Sequence, residues 1–201
     1  MGDFYYKTTD NLQNVSFLNA ARTGNNDALD AFSKMEVITR EESKVGFSKS
    51  VKLTRPFGQV NFITTDIPAI RALSGGSQFL PTDVKVSYTT CTGFNVLTQT
   101  GTGSEAIEYT APVYSAMDPA TNPAKYTLSM DYMLTATSDR ETRTLVKLTA
   151  LANGYELTTV EVANYPVQRN YRTNIIGKIL TGDVTFNITI DPIYDGEYNN
   201  Y

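Results

Sequence analysis

From Asp183 to Asp191 apolar and polar side chains alternate without a break, Val184, Phe186, Ile188 and Ile190 against Thr185, Asn187 and Thr189. A period of two places the two sets on opposite sides of a pleated strand, so this stretch reads as a half-buried strand with one wet face. A helix would scatter the same residues around its circumference. The pattern returns at Tyr126, Leu128, Met130, Tyr132 and Leu134, alternating with Thr127, Ser129, Asp131 and Met133. Further strands are expected at 35–40, 48–54, 57–64, 84–91, 93–98, 143–151, 155–162 and 171–180, all rich in Val, Ile, Thr, Tyr or Phe.

Turn chemistry joins these strands into hairpins. Asn153-Gly154 separates 143–151 from 155–162, and both central residues of a type I′ turn need positive φ, which Asn and Gly tolerate best. Thr181-Gly182-Asp183 links 171–180 to 184–190 in the same way. Helical signals are sparse. A short turn is expected over 27–32, capped by Asn26 or Asp27, and a brief helix after Asp66-Ile67-Pro68, running to Leu73 and ended by Gly75-Gly76. Many short strands with few helices predict an all-β protein, an antiparallel β-sandwich with Greek-key connections. Pro112, Pro119 and Pro123 within residues 111–125 mark the best linker. Two lobes, 1–110 and 111–201, are therefore expected, with one continuous sandwich as the alternative.

Composition removes several kinds of chemistry. The 201 residues include no His and only Cys91, so Ser-His and Cys-His nucleophiles, a Cys-based zinc cluster and an intrachain disulfide are all excluded. Cys91 lies in a strand-like run and reads as a small buried hydrophobe. A net charge of −4 argues against a grip on nucleic acid. The glycine-containing stretches at 74–77 and 101–105 lack phosphate-loop spacing, and neither a Ser-x-x-Lys nor a Gly-x-Ser-x-Gly motif occurs. No catalytic, cofactor-binding or metal-binding residue is assigned, and no cofactor is expected. The carboxylate pairs Glu41-Glu42, Glu105 with Glu108 and Asp191 with Asp195 read as solvated turns and strand ends, since acid/base work needs a facing pair in a cleft. Residues 191–199 lack the alternating ligands of a calcium loop. Arg169 and Arg172, flanking Asn170 and Tyr171, could hold an anion, but arginines at strand ends ordinarily cap carbonyls or pair with carboxylates. Asn14-Val15-Ser16 and Asn187-Ile188-Thr189 match the glycan-acceptor pattern, and the second lies inside a strand, suitable only at an exposed edge. No run reaches the ~20 apolar residues of a membrane-spanning helix, and residues 1–20 lack the basic start and apolar centre of a signal peptide.

Three blocks in order carry a resemblance. Residues 167–181 (VQRNYRTNIIGKILT) with 184–196, residues 30–39 with 51–67 (VKLTRPFGQVNFITTDI), and 126–136 (YTLSMDYMLTA) resemble the fimbrillin-like proteins of Bacteroides-type bacteria, subunits of type V pili. The resemblance covers most of the chain from about residue 27 onward. It implies transthyretin-like β-sandwich lobes without enzymatic activity, exported to the outer membrane as a lipoprotein. It also implies other pilin subunits as partners, bound by strand exchange, with a host protein or glycan as a further partner class. The signal peptide, lipid-bearing cysteine and first strands of that family are not in this sequence, and Cys91 lies in no lipobox-like context, so a membrane link would come only through an anchor outside this chain. The missing strands predict poor cover for Phe4, Val15, Val37 and Phe62. The alternative function is a monomeric surface module whose Tyr-rich face stacks on sugars.

Overall fold

The computed structural model describes residues 5–9, 12–18, 23–115 and 124–192. Its strands are β1 (Tyr6–Thr9), β2 (Asn14–Phe17), β3 (Phe57–Thr64), β4 (Asp83–Thr90), β5 (Gly93–Asn95), β6 (Thr100–Thr102), β7 (Glu105–Pro112), β8 (Tyr126–Leu134), β9 (Glu141–Ala152), β10 (Tyr155–Val167), β11 (Arg172–Lys178) and β12 (Asp183–Asp191). They form three sheets in the orders β10-β9-β4-β7, β12-β11-β3-β8 and β1-β2-β5-β6. The first two pack face to face around the main core, where Val60, Phe62 and Ile175 from one sheet meet Val84, Val86, Val146 and Leu148 from the other. The third, smaller sheet covers part of the opposite face of β3 and β8 through a second cluster, Phe17, Leu29, Phe57, Cys91, Phe94, Met130, Tyr132 and Leu134. The all-β sandwich expected from the sequence is the fold. One neighbouring pair, β11 with β3, is parallel and not antiparallel.

The two hairpins form as the turn residues dictate. β9 and β10 pair antiparallel from Ala152–Tyr155 outward, with Asn153 at φ 50° and Gly154 at φ 87°. β11 and β12 pair antiparallel from Lys178–Asp183 to Arg172–Asp191. Along β12, Phe186, Ile188 and Ile190 are half-buried while Thr185, Asn187 and Thr189 are exposed. Asn26 caps a single 3-10 turn at Asp27–Leu29 through a bond from Ala28 N. The brief helix α2 (Ile67–Ala72) carries Pro68 in its first turn, but the Asp66 carboxylate does not cap it. That carboxylate instead accepts from Leu180 N (2.9 Å), Thr181 N (2.8 Å) and Thr181 Oγ1 (2.9 Å), as well as from Thr64 Oγ1, and ties the β11–β12 turn to the start of the helix.

Four expectations are corrected. Both main sheets draw strands from either side of residue 110, so 1–110 and 111–201 are not separate lobes. Long-range sheet pairing overrides the local proline signal, and β7 runs through Pro112 at its end, where a missing N–H costs least. Residues 116–123 of the expected linker lie outside the described residues. Second, β8 does not keep one alternation. Its register with β3 slips between Phe62–Ser129 and Ile63–Thr127, leaving Leu128 as an inserted residue. A bulge of this kind exchanges the faces of everything beyond it. Tyr126, Leu128 and Met133 therefore lie in the main core while Met130, Tyr132 and Leu134 lie in the second cluster. Third, residues 35–40 and 48–54 do not form strands: helix α1 (Arg40–Val45) takes the end of the first, and the second makes a single bridge, Thr54 with Ser33. Fourth, Phe62 is fully buried, because β8 and β11 flank β3 on both sides. Val15 is half-buried, Val37 is 64% exposed, and Phe4 lies outside the described residues.

Candidate functional site

Residues 33–54 leave the sandwich as an arm. Its base is clamped: Arg55 donates from Nε to Asp30 Oδ1 and from Nη2 to Asp30 Oδ2, both at 2.7 Å, and its guanidinium lies 4.4 Å from the Phe32 ring centre. A two-bond fork of this kind fixes orientation as well as contact. Arg55 N also donates to Asn170 Oδ1 (3.3 Å), and Asn170 N to Phe57 O (2.9 Å), which ties the base to β3. The tip is set by α1, whose Thr39 and Glu42 form a reciprocal capping box: Glu42 N donates to Thr39 Oγ1 and Thr39 N to Glu42 Oε2. Thr39 N and Thr39 Oγ1 both donate to Glu42 Oε2, at 2.7 and 2.8 Å, and hold the Glu42 carboxyl below its usual range. Lys49 pairs with Glu36 at 2.7 Å and donates to Val37 O at 3.2 Å, which keeps the two limbs side by side and lowers the Glu36 pKa.

Between base and tip the limbs exchange backbone hydrogen bonds only at Ser33 and Thr54. Their apolar side chains face solvent: Val45 is 84% exposed, Leu53 56%, Ile38 53%, and Phe47 and Val51 44% each. Isolated exposed apolar residues are ordinary, but this many on one excursion make it the candidate contact surface. The second limb has the pattern of a strand. Phe47, Val51 and Leu53 fall on the odd positions with Lys49, and Ser48, Ser50 and Lys52 on the even ones.

The sandwich supplies rims to which a strand could add. β12 ends one sheet and bonds β11 on one side. The outer edge of β8 is engaged already. Asn25 N donates to Met130 O (2.8 Å), Asn25 Oδ1 accepts from Met130 N (2.7 Å), and Tyr114 N and Ser115 N donate to Leu128 O and Thr127 O. Asn25 can bridge in this way because its φ is 57°, a conformation Asn adopts more readily than most residues.

The residues singled out for chemistry are not brought together. Glu42 is spent in the capping box and Glu41 pairs with Lys44 at 2.9 Å. Glu108 pairs with Lys85 at 2.8 Å, and Glu105 lies three residues away on the opposite face of β7. Asp195 lies outside the described residues. Arg169 is buried and donates to Gln99 O (2.8 Å), Thr135 O (3.3 Å) and Thr135 Oγ1 (3.3 Å), with its guanidinium 5.0 Å from the Phe94 ring centre. Desolvation lowers its pKa. Arg172 is likewise buried, with Nε donating to Gln59 Oε1 at 2.8 Å. Beside that pair, Asn61 Nδ2 donates to Asn174 Oδ1 at 2.8 Å, making a buried polar ladder across β3 and β11 that the sequence pattern did not signal. Burial raises the Cys91 thiol. Among the described residues no group of His, Cys, Asp and Glu could hold a metal ion, and no helix is long and apolar enough to cross a membrane. Asn14 and Asn187 are both exposed, Asn187 on a terminal strand.

The outer face of β4, β7, β9 and β10 is concave, with a cavity of about 550 Å³ lined by Lys85, Glu108, Lys147, Thr149 and Thr159 among others. Its polar groups are engaged with one another: Lys147 with Glu161 (3.4 Å), Thr149 with Thr159 (2.7 Å) and Thr159 with Glu156 (2.8 Å). No aromatic ring lines it. Among the described tyrosines only Tyr155 is exposed.

A family model matches residues 1–201, the whole of this sequence. The chain belongs to DUF6562, a family of unknown function. No curated protein matches it. Among solved structures it is similar to a Bacteroides ovatus chain described as a "putative cell adhesion protein", with 16% identity and a TM-score of 0.39, over 72% of this chain and 48% of that one. The match thus spans less than half of that protein's length.

Proposed function

We propose that the chain is a non-enzymatic structural or adhesive module of a bacterial cell surface, joining its neighbours by strand addition. One observation carries this reading. The limbs at 35–40 and 48–54 have the composition and period of strands, yet among the described residues they find no ladder partner beyond the single Ser33–Thr54 bridge, and their apolar side chains lie in solvent. Natural sequences make local pattern and global fold agree, and disagreement concentrates where function requires it. Strand addition resolves the conflict. A partner edge would satisfy the limbs' backbone groups while the alternating side chains set register. The resemblance to fimbrillin-like pilins points to the same class of assembly. The clamp at Arg55 and the box at Thr39 keep the arm presented, so less conformational entropy is lost on docking than for a free tail.

The test is self-association measured by sedimentation velocity. The wild-type chain should form concentration-dependent multimers, and Val51→Asp with Leu53→Asp should weaken them at least tenfold. The thermal midpoint should stay within a few degrees, because both side chains are already largely exposed. A wild-type chain monomeric at every concentration would overturn the reading. So would multimers indifferent to the double substitution.

A further inference from the structure

We propose that residues 47–54 of one copy add as a strand to the outer edge of β12 in a second copy, a contact that rests on the strand-addition reading above. β12 is long, carries no proline between Asp183 and Asp191, and is terminal in its sheet. Its inner row of Phe186, Ile188 and Ile190 is only half-buried. A strand laid alongside would extend the sheet and cover that row with the odd-numbered Phe47, Val51 and Leu53, the aliphatic stem of Lys49 lying between them. The even-numbered Ser48, Ser50 and Lys52 would then lie beside the exposed Thr185, Asn187 and Thr189.

The other rims fit less well. β8 is occupied by Asn25, Tyr114 and Ser115. β10 is bulged between Glu156 and Thr158 and contains Pro166, two devices that blunt an edge. β7 already buries Tyr109 and Ala111 on its inner face, so an added strand would gain little there.

Charge selects an arm-to-body contact over an arm-to-arm one. Residues 33–54 hold five basic residues (Lys34, Arg40, Lys44, Lys49, Lys52) and three acidic ones (Glu36, Glu41, Glu42), a net +2. The whole chain is −4, so the remainder is −6. Two arms repel each other, whereas an arm and a foreign body attract. A contact between two different patches is heterologous and propagates into a filament unless it closes into a ring.

Site-directed cross-linking tests this on the full chain in a Cys91→Ser background. Ser48→Cys, Ser50→Cys and Lys52→Cys chains are each mixed with Asn187→Cys chains and oxidised, with Thr110→Cys on β7 as the control edge. At least one arm position should cross-link to Asn187→Cys at least tenfold more than to the control. Multimers that form but link arm to arm, or link to β7, would overturn this pairing while leaving strand addition in place. A chain that is monomeric throughout, with the limbs slow in amide exchange, would overturn both, since the limbs would then be covered within one copy.

Discussion

Between pH 4.5 and 7 the fold should lose about 3 kcal/mol of stability, and Asp131→Asn should abolish that loss. Asp131 lies inside the sandwich, its carboxyl among Tyr109, Tyr88 and Ser129. Burial raises its pKa to about 7, and the neighbouring hydroxyls of Tyr109, Tyr88 and Ser129 pull it only part of the way back. Tyr109 is itself pushed well above the usual tyrosine range, first by burial and then by the neighbouring carboxylate. The sign follows from proton counts. Above about pH 4 an unfolded Asp131 has released its proton while the folded one keeps it until about pH 7, so each pH unit in that window removes about 1.4 kcal/mol from the fold. Above pH 7 both states are ionised and the curve flattens. Glu36 and Glu42 act in the opposite direction, since Lys49 and Thr39 lower their pKa values, and their contribution is complete once the pH has risen past the ordinary glutamate range, at the acid end of the window. Urea denaturation at pH 4.5, 6 and 8 should show the wild type falling and Asp131→Asn level. Parallel curves for the two proteins would overturn the assignment.

How that carboxylate comes to be inside shows where the sequence stops being legible. Read by period, Ser129 and Asp131 belong to the wet face of β8, with Met130 and Tyr132 in the core. The inserted Leu128 reverses this, and the third sheet buries the face that would otherwise be wet. Neither a bulge nor a covering sheet leaves a periodic trace in a single strand. β12 behaves differently because one of its faces stays in solvent, and so its alternation survives folding intact. The β9–β10 hairpin was legible for a local reason, since the Asn153-Gly154 turn fixes its own register. β1, β2, β6 and β7 were not foreseen. The first three are only three or four residues long, and β7 interleaves Ala, Glu and Thr with few β-branched apolar residues.

The arm carried a second, readable signal that the strand pattern obscured. Thr39-x-x-Glu42 is a capping-box spelling, and it starts α1 within the run expected to be a strand. The limbs on either side of it carry a strand-like pattern yet form no strand, because no neighbour among the described residues takes up their ladder. Ladder partners are assigned by topology, and topology here gives the central positions of the two main sheets to β3, β4, β9 and β11. The candidate site was therefore visible as pattern and invisible as a site.

Asp66→Ala should cost about 3–5 kcal/mol and lower the thermal midpoint by roughly 6–15 °C. The carboxylate is 2% exposed and accepts from two backbone and two hydroxyl donors. Its removal strands the amides of Leu180 and Thr181 at the turn that launches β12, and each buried donor left unmet costs about 1–3 kcal/mol. Asp66→Asn retains one acceptor oxygen and should recover about half of the loss. The damage should also be local. Because Asp66 fixes residues 180–181, its loss should speed amide exchange in β12 more than in β9 or β10, which are held by their own hairpin. If β12 is the acceptor edge, Asp66→Asn at a temperature where the fold survives should weaken self-association as well, while leaving the arm untouched. Exchange that rises evenly across all three strands would show Asp66 to act on the whole core and not on the β11–β12 turn.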